Sequence, residues 1–156
     1  MTKENLSRPQ SKEKLLWVLG DFYRILIAGK DTDGKYILLE ITSPPQGGLP
    51  LHEHSREDES FYVIDGEYQF QYGDETIRAT SGFHVYLKRP IPHAFKNIGG
   101  RAGRVLVVLA PAGLEGLFEE IGTPVEDVSS FTPPSDPPDM AKIEEILKNY
   151  GVKLKQ

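Results

Sequence analysis

The sequence predicts an all-β protein, and three observations support that class. The 156 residues include 15 glycines and 12 prolines, which are typical of a chain with many turns. Hydrophobic residues make up 38% of the chain, enough to fill a core. Between residues 15 and 110, short apolar or β-branched runs alternate with turn residues at close spacing. This pattern favours a β-sandwich or a β-barrel within one domain spanning residues 1–156.

Nine runs within this region are predicted as strands. In chain order they are 15–19, 22–28, 35–41, 59–64, 67–72, 75–79, 83–87, 93–98 and 104–110. The Asp65-Gly66 pair predicts a tight hairpin, because both central positions of a type I′ turn need a positive φ. Residues 1–14 are polar, and we expect them to form a loose arm before the first strand.

After Pro111 the apolar pattern changes from the strand period to the helical period. Four residues fall on one face of a short helix: Leu114, Leu117, Phe118 and Ile121. Gly122 is placed to end this helix, and residues 129–138 have the composition of a surface linker. Asp139 can then cap a second helix. Its apolar stripe is Ile143, Ile146, Leu147 and Tyr150. We expect the helical extension over 111–156 to pack outside a barrel or across a subunit interface, and its sequence indicates no chemistry.

Charge and composition exclude several classes of function. The formal net charge is −5 and no strongly basic segment occurs, so nucleic acid and anionic membranes are not expected partners. The chain has no cysteine, which excludes disulfides and thiolate metal ligands. The N-terminus lacks the apolar run of a signal peptide, and no apolar stretch approaches the roughly 20 residues that span a bilayer. We therefore expect a cytoplasmic protein.

His52, His54 and Glu59 form the most informative segment. Alternate residues of a strand face the same side, so the two imidazoles point the same way, about 6–7 Å apart along the backbone. Glu59 begins the next strand, which can run back alongside the first and bring its carboxylate next to the two imidazoles. Two imidazoles and one carboxylate are a usual ligand set for divalent Fe, Mn, Ni or Zn. Asp58 is the rival carboxylate, but Glu59 begins the apolar strand and is favoured.

A second segment supplies a third imidazole. His93 begins a strand directly after the Pro90-Ile91-Pro92 turn, which restricts where its side chain can point. His84, the fourth histidine of the chain, lies on another strand and is expected to be a core or surface residue.

These two segments resemble the paired motifs of the cupin superfamily. The first reads His-X-His, four residues, Glu, six residues, Gly; the second reads Gly…Pro-X-Pro-His-X₃-Asn. The match covers about residues 35–110 and is similar to small single-domain, quercetin-dioxygenase-like proteins. It implies a cupin jelly-roll (double-stranded β-helix) barrel with short C-terminal helices. It also implies one divalent metal ion (Fe, Mn, Ni or Zn) held by His52, His54, Glu59 and His93.

Strand alternation extends the prediction to the substrate. Phe61 and Val63 share the parity of Glu59, and Phe95 and Asn97 share that of His93, so all four are predicted to line the cavity beside the metal. Packing in the core explains the two phenylalanines equally well. The segment 56–58 is expected to be a solvated turn.

The first hypothesis for function is a dioxygenase-type oxidoreductase acting on a small hydroxylated or dicarbonyl compound. Glu59 is then the candidate to accept the proton of the substrate. The alternatives are a non-redox isomerase or lyase acting on a sugar or keto acid, and a non-catalytic module that binds a small molecule. Because cupins often pair through edge strands, we also expect a homodimer.

Overall fold

The computed structural model describes residues 13–156, which form two β-sheets packed face to face and two helices. The strands are β1 Lys14–Val18, β2 Asp21–Ile27, β3 Ile37–Ser43, β4 Gly48–His54, β5 Asp58–Asp65, β6 Glu67–Tyr72, β7 Glu75–Thr80, β8 His84–Leu87, β9 His93–Asn97, β10 Gly103–Ala110, β11 Thr123–Pro124 and β12 Val152–Leu154. The helices are α1 Glu115–Ile121 and α2 Met140–Asn149, and a short 3₁₀ turn spans Gly29–Asp31.

Both sheets are antiparallel, and their inner faces form the core. One sheet has the order β11-β1-β2-β3-β10-β5-β8 and the other β12-β4-β9-β6-β7. In the central strand β3, residues alternate between buried and half-buried, as expected when only one face of a sheet packs in the core. All nine predicted runs are strands. β11, β12 and the first half of β4 are additional, because segments that are very short or contain proline or glycine carry little strand signal.

The predicted hairpin at Asp65-Gly66 is wrong. β5 and β6 lie on either side of this pair, but they belong to different sheets and do not pair with each other. Gly66 has φ +103°, whereas Asp65 does not have a positive φ. A Cβ at Gly66 would lie 2.8 Å from Cα of Gly103. Glycine is therefore required here because the chain turns from one sheet to the other in close contact with a neighbouring segment.

The jelly-roll arrangement is confirmed, but the barrel is open. Among residues 13–156, no strand pairs through its backbone with strands of both sheets, so the strands form a sandwich of two sheets rather than one continuous barrel. The predicted arm over residues 1–14 lies outside the described residues except for Glu13 and Lys14, and Lys14 begins β1. Within the described part of the chain, no helix is long and apolar enough to cross a membrane.

The two C-terminal helices form where the sequence predicts them. α1 ends at Gly122, and the Asp139 side chain accepts a hydrogen bond from the backbone N–H of Lys142 at the start of α2. The linker over 129–138 is exposed apart from Phe131, whose ring packs against two aromatic rings of the larger sheet. The helices contact each other, and α2 leads directly into β12, which pairs with β4.

Candidate metal centre

Strand β4 places two histidines on the inner face of the smaller sheet. His52 and His54 are 4% and 5% exposed, while Glu53 between them faces outward and pairs with Lys155 at 2.9 Å. This is the alternation that the sequence predicts. On the neighbouring strand β9, His93 lies directly opposite His52. The three imidazoles therefore come together on one face, with ring centroids 4.4 to 5.2 Å apart.

Gly48 allows β4 to approach β9 closely enough for this arrangement. Its φ is +135°, in the region that favours glycine, and a Cβ there would collide with the backbone carbonyl of Phe95. A larger residue at position 48 would push β4 away from β9. The contact between His52 and His93 depends on that close approach.

Glu59 reaches the histidines from the opposite sheet. It lies on β5, and its carboxylate Oε2 is 2.6 Å from Nε2 of His93 and 3.2 Å from Nε2 of His54. His52, His54, Glu59 and His93 are all buried, and each offers one ligand atom within 4.8 Å of the others. The four predicted ligands thus converge between the two sheets, whereas Asp58 lies outside the cluster and contacts Arg89.

Backbone carbonyls orient two of the three imidazoles. Nδ1 of His52 donates to the Pro50 carbonyl at 2.8 Å, and Nδ1 of His93 donates to the Ile91 carbonyl at 3.2 Å. Because Nδ1 carries a hydrogen in both rings, Nε2 is the nitrogen that each ring turns to the centre, where that of His93 donates to the Glu59 carboxylate at 2.6 Å. The Pro50 carbonyl within β4 and the Ile91 carbonyl before β9 therefore orient these rings as a metal site needs.

The third imidazole faces a carboxylate that the sequence analysis did not identify. Nδ1 of His54 lies 3.5 Å from Oε2 of Glu57, and Glu57 is only 4% exposed. The expectation of a solvated turn over 56–58 is therefore wrong for Glu57. Glu57 lies two residues before Glu59, so strand alternation would have placed both side chains on the inner face.

Burial and neighbouring charges shift the pKa values of His52, His54 and Glu59. Burial lowers the pKa of His52 to about 4, helped by the two neighbouring imidazoles. Burial also opposes the charged form of His54, but Glu59 and Glu57 outweigh it and raise the pKa of His54 to about 9. For Glu59, burial favours the neutral acid, yet His54 and His93 hold its pKa well below its usual range. Without metal, an ion pair between His54 and Glu59 occupies the centre.

This ion pair predicts a pH-dependent metal affinity. Below pH 9 the protonated form of His54 dominates in the metal-free protein, so a binding cation must displace that proton. We expect apparent Zn²⁺ affinity to rise by up to about tenfold per pH unit between about pH 6 and 8, with release of about one proton. Calorimetry in buffers of different ionisation enthalpy measures this release. An affinity independent of pH over that range contradicts the expectation.

Three of the predicted substrate-binding residues are buried in the interior. Phe61, Val63 and Phe95 are at most 2% exposed, and the Phe61 ring packs against the rings of Phe70 and Phe95. Phe95 also borders a small cavity beside the histidines. Substrate contact by these residues stays a prediction, as does their alternative role in packing.

Asn97 and His84 lie apart from the cluster. The Asn97 amide donates to the carbonyls of Ser43 and Arg101, and its oxygen accepts from the N–H of Gly99. These bonds hold loops together, and substrate contact by Asn97 stays a prediction. His84 is exposed on the edge strand β8.

Two cavities adjoin the cluster. The inner cavity, of about 20 Å³, is bordered by Glu59, Phe95 and the two β4 histidines. The outer cavity, of about 60 Å³, is bordered by the same two histidines and by residues of α1, α2 and β12. Tyr23 of β2 borders both cavities, and its hydroxyl has no hydrogen-bond partner. Tyr23 was not among the predicted site residues, and the helical extension was expected to carry no chemistry.

A comparison with known families identifies the part of the chain that carries these side chains. The family described as Cupin domain matches residues 39–109, a segment that includes all four clustered residues and both of their motifs. The matched segment, a little under half of the chain, is similar to a cupin domain. The extension that borders the outer cavity lies beyond this match.

The relatives of this protein are distant. It is 25% identical over 104 residues to quercetin 2,3-dioxygenase of Bacillus subtilis (strain 168), an alignment covering 67% of this chain and only 31% of that relative. A predicted oxalate decarboxylase from Thermotoga maritima aligns with a TM-score of 0.60 and 18% identity over 67% of this chain and 98% of its own. An RmlC-like cupin from Shewanella frigidimarina NCIMB 400 aligns with a TM-score of 0.60 and 14% identity, over 70% of this chain and 93% of its own. The two structures establish the fold alone.

Proposed function

We propose that this protein binds one divalent metal ion and oxygenates a small hydroxylated or dicarbonyl compound with dioxygen. The convergence of four buried donor atoms within 4.8 Å carries the proposal. The distant similarity to a quercetin 2,3-dioxygenase supports oxygen chemistry over other uses of such a site.

The donor set fits a cation. Nε2 of His52 is held as an acceptor because its Nδ1 donates to the Pro50 carbonyl. Nε2 of His93 donates to the Glu59 carboxylate at 2.6 Å, and a cation would take the place of that hydrogen. His54 is buried, and neither of its ring nitrogens makes a well-formed hydrogen bond. Three imidazoles and one carboxylate suit Fe, Mn, Ni or Zn.

The side chains around the cluster suit proton transfer in a dry cavity. A divalent ion there supplies positive charge that lowers the pKa of a bound hydroxyl or enol and, if it is Fe, Mn or Ni, redox chemistry with dioxygen. Glu59 is held as a carboxylate and would accept the proton of the substrate at a side-chain oxygen. Leu49 and Phe118 border both cavities and exclude water from that transfer. In the overall reaction the substrate supplies the electrons, and both atoms of dioxygen enter the products.

A sugar substrate, the main alternative, is disfavoured by the surroundings of the cluster. Apart from Tyr23, His52, His54 and Glu59, the cavities are bordered by apolar side chains. A molecule with several hydroxyls would leave most of them without partners, at a cost of about 1–3 kcal/mol each. The expected homodimer and cytoplasmic location remain proposals.

Oxygen uptake tests the proposed activity. Protein loaded separately with Fe²⁺, Mn²⁺, Ni²⁺ or Zn²⁺ is mixed with flavonols, β-diketones or catechol-like acids in an oxygen electrode, and substrate loss is followed in parallel. We expect one molecule of dioxygen consumed per molecule of substrate with at least one redox-active metal, and no uptake with Zn²⁺.

Two results would contradict oxygenation. Turnover by the Zn²⁺ form without oxygen would indicate an isomerase or lyase. Tight binding without turnover for every metal would indicate a binding protein. Protein without metal controls for uncatalysed oxidation.

A further inference from the structure

The outer cavity is an apolar space formed largely by the C-terminal extension. Seven of its bordering residues come from α1, α2 and the segment that precedes α1: Leu114, Leu117, Phe118, Ile121, Met140, Ile143 and Leu147. Five of them are at most 9% exposed, while Met140 is 41% exposed and marks the side nearest to solvent. No charged residue borders the cavity apart from the histidines.

The same extension is fixed to the strand that carries two candidate ligands. β12 pairs with β4 so that Val152 is opposite His54 and Leu154 is opposite His52. The Tyr150 hydroxyl donates to Glu120 at 2.6 Å and joins α2 to α1. The walls of the outer cavity are thus held in register with the candidate metal centre.

The outer cavity and the inner cavity share three polar bordering residues, the two β4 histidines and Tyr23. His52 and His54 border both the outer cavity and the inner cavity, which reaches Glu59. Tyr23 also borders both cavities, and its hydroxyl is fully buried and has no partner. A buried hydroxyl without a partner is costly, and an oxygen of a bound molecule would satisfy it.

We propose that the outer cavity binds the body of the substrate, and that the substrate is a short aliphatic molecule with one pair of chelating oxygens. Its oxygens lie toward the inner cavity, where one accepts a hydrogen bond from Tyr23. Its carbon chain lies against the α1 and α2 residues, which therefore set the size and polarity that the site accepts. This inference rests on the proposed function and narrows it to one substrate class.

Volume and polarity support this class over a flavonol. The outer cavity of about 60 Å³ is well below the roughly 150 Å³ of an apolar cavity known to hold benzene. The aromatic rings of a flavonol do not fit such a space, whereas a few methyl or methylene groups do. The additional hydroxyls of a flavonol would also lack partners among these side chains.

Xenon tests the cavity without metal and without turnover. In the metal-free full chain, we expect xenon to bind and to shift the methyl NMR signals of Leu117 and Ile143. Leu117→Phe should fill the space and abolish these shifts, while Glu145→Phe, on the exposed side of α2, should keep them. Leu147→Ala should enlarge the space and admit benzene. Absence of xenon shifts in a folded wild-type chain would overturn the proposal.

Ligand binding to the Zn²⁺ form tests the substrate class. Calorimetry should show binding of pentane-2,4-dione and no binding of quercetin in the wild type. Tyr23→Phe should weaken binding of the dione about five- to tenfold, the effect of one lost hydrogen bond, and leave the xenon shifts unchanged. Leu147→Ala should gain affinity for 1-phenylbutane-1,3-dione.

The outcomes separate this proposal from the proposed function. Dione and xenon binding without oxygen uptake would contradict oxygenation and support the cavity assignment. Quercetin binding as tightly as the dione would overturn the cavity assignment whatever the oxygen electrode shows. A dione affinity unaffected by Tyr23→Phe would also count against it.

Discussion

His93→Ala is expected to abolish metal binding. His93 is the ligand candidate that links the two sheets most closely, since it lies opposite His52 on β9 and 2.6 Å from Glu59 across the sandwich. Alanine leaves three donors and a gap into which water enters, so the remaining groups no longer surround an ion. Elemental analysis of protein purified without added metal should fall from about one ion per chain to a small fraction.

His84→Ala is the matched control for this prediction. The substitution is the same, but His84 is exposed on the edge strand β8, and the metal content should not change. Circular dichroism shows whether His93→Ala retains the fold, and His52→Ala offers a second variant if it does not. Wild-type metal content in a folded His93→Ala protein would refute the candidate centre.

The candidate ligands could be predicted because the signal is local. Strand parity alone places His52 and His54 on one side, and parity from Glu59 onward marks the inner face of β5. The proline turn before His93 similarly marks the start of β9. Each of these inferences needs only a few neighbouring residues. The resemblance to cupins then supplied the distant pairing of the two motifs.

The features that the sequence did not predict depend on contacts between residues distant in sequence. Asp65-Gly66 has the composition of a hairpin, but β5 pairs with β10 and β8 instead of β6, and these distant pairings outweigh the local preference. The apolar stripe of α2 predicts a buried face without naming its partner. Only the pairing of β12 with β4 brings that face beside His52 and His54. A turn-like composition likewise concealed the burial of Glu57.

Glu57→Gln is expected to weaken metal binding without preventing it. His54 differs from the other two histidines because its Nδ1 faces a carboxylate rather than a backbone carbonyl. Such a carboxylate orients the ring and makes its other nitrogen a stronger donor to the metal. Together with Glu59, it would also balance the charge of a divalent ion. Glutamine keeps the shape but loses the charge, and we expect Zn²⁺ affinity to fall about 10- to 100-fold.

Competition with a chromophoric chelator measures this change, and Glu53→Gln is the matched control. Glu53→Gln removes the same charge one residue before His54, but Glu53 faces outward to Lys155. Zn²⁺ affinity should stay within about twofold of the wild type, because this half-exposed ion pair does not touch the cluster and such pairs contribute little. Thermal melting of the metal-free proteins separates folding from binding. A purely structural Glu57 would lower the melting temperature and leave the affinity unchanged, whereas a positioning role lowers the affinity of a protein that melts normally.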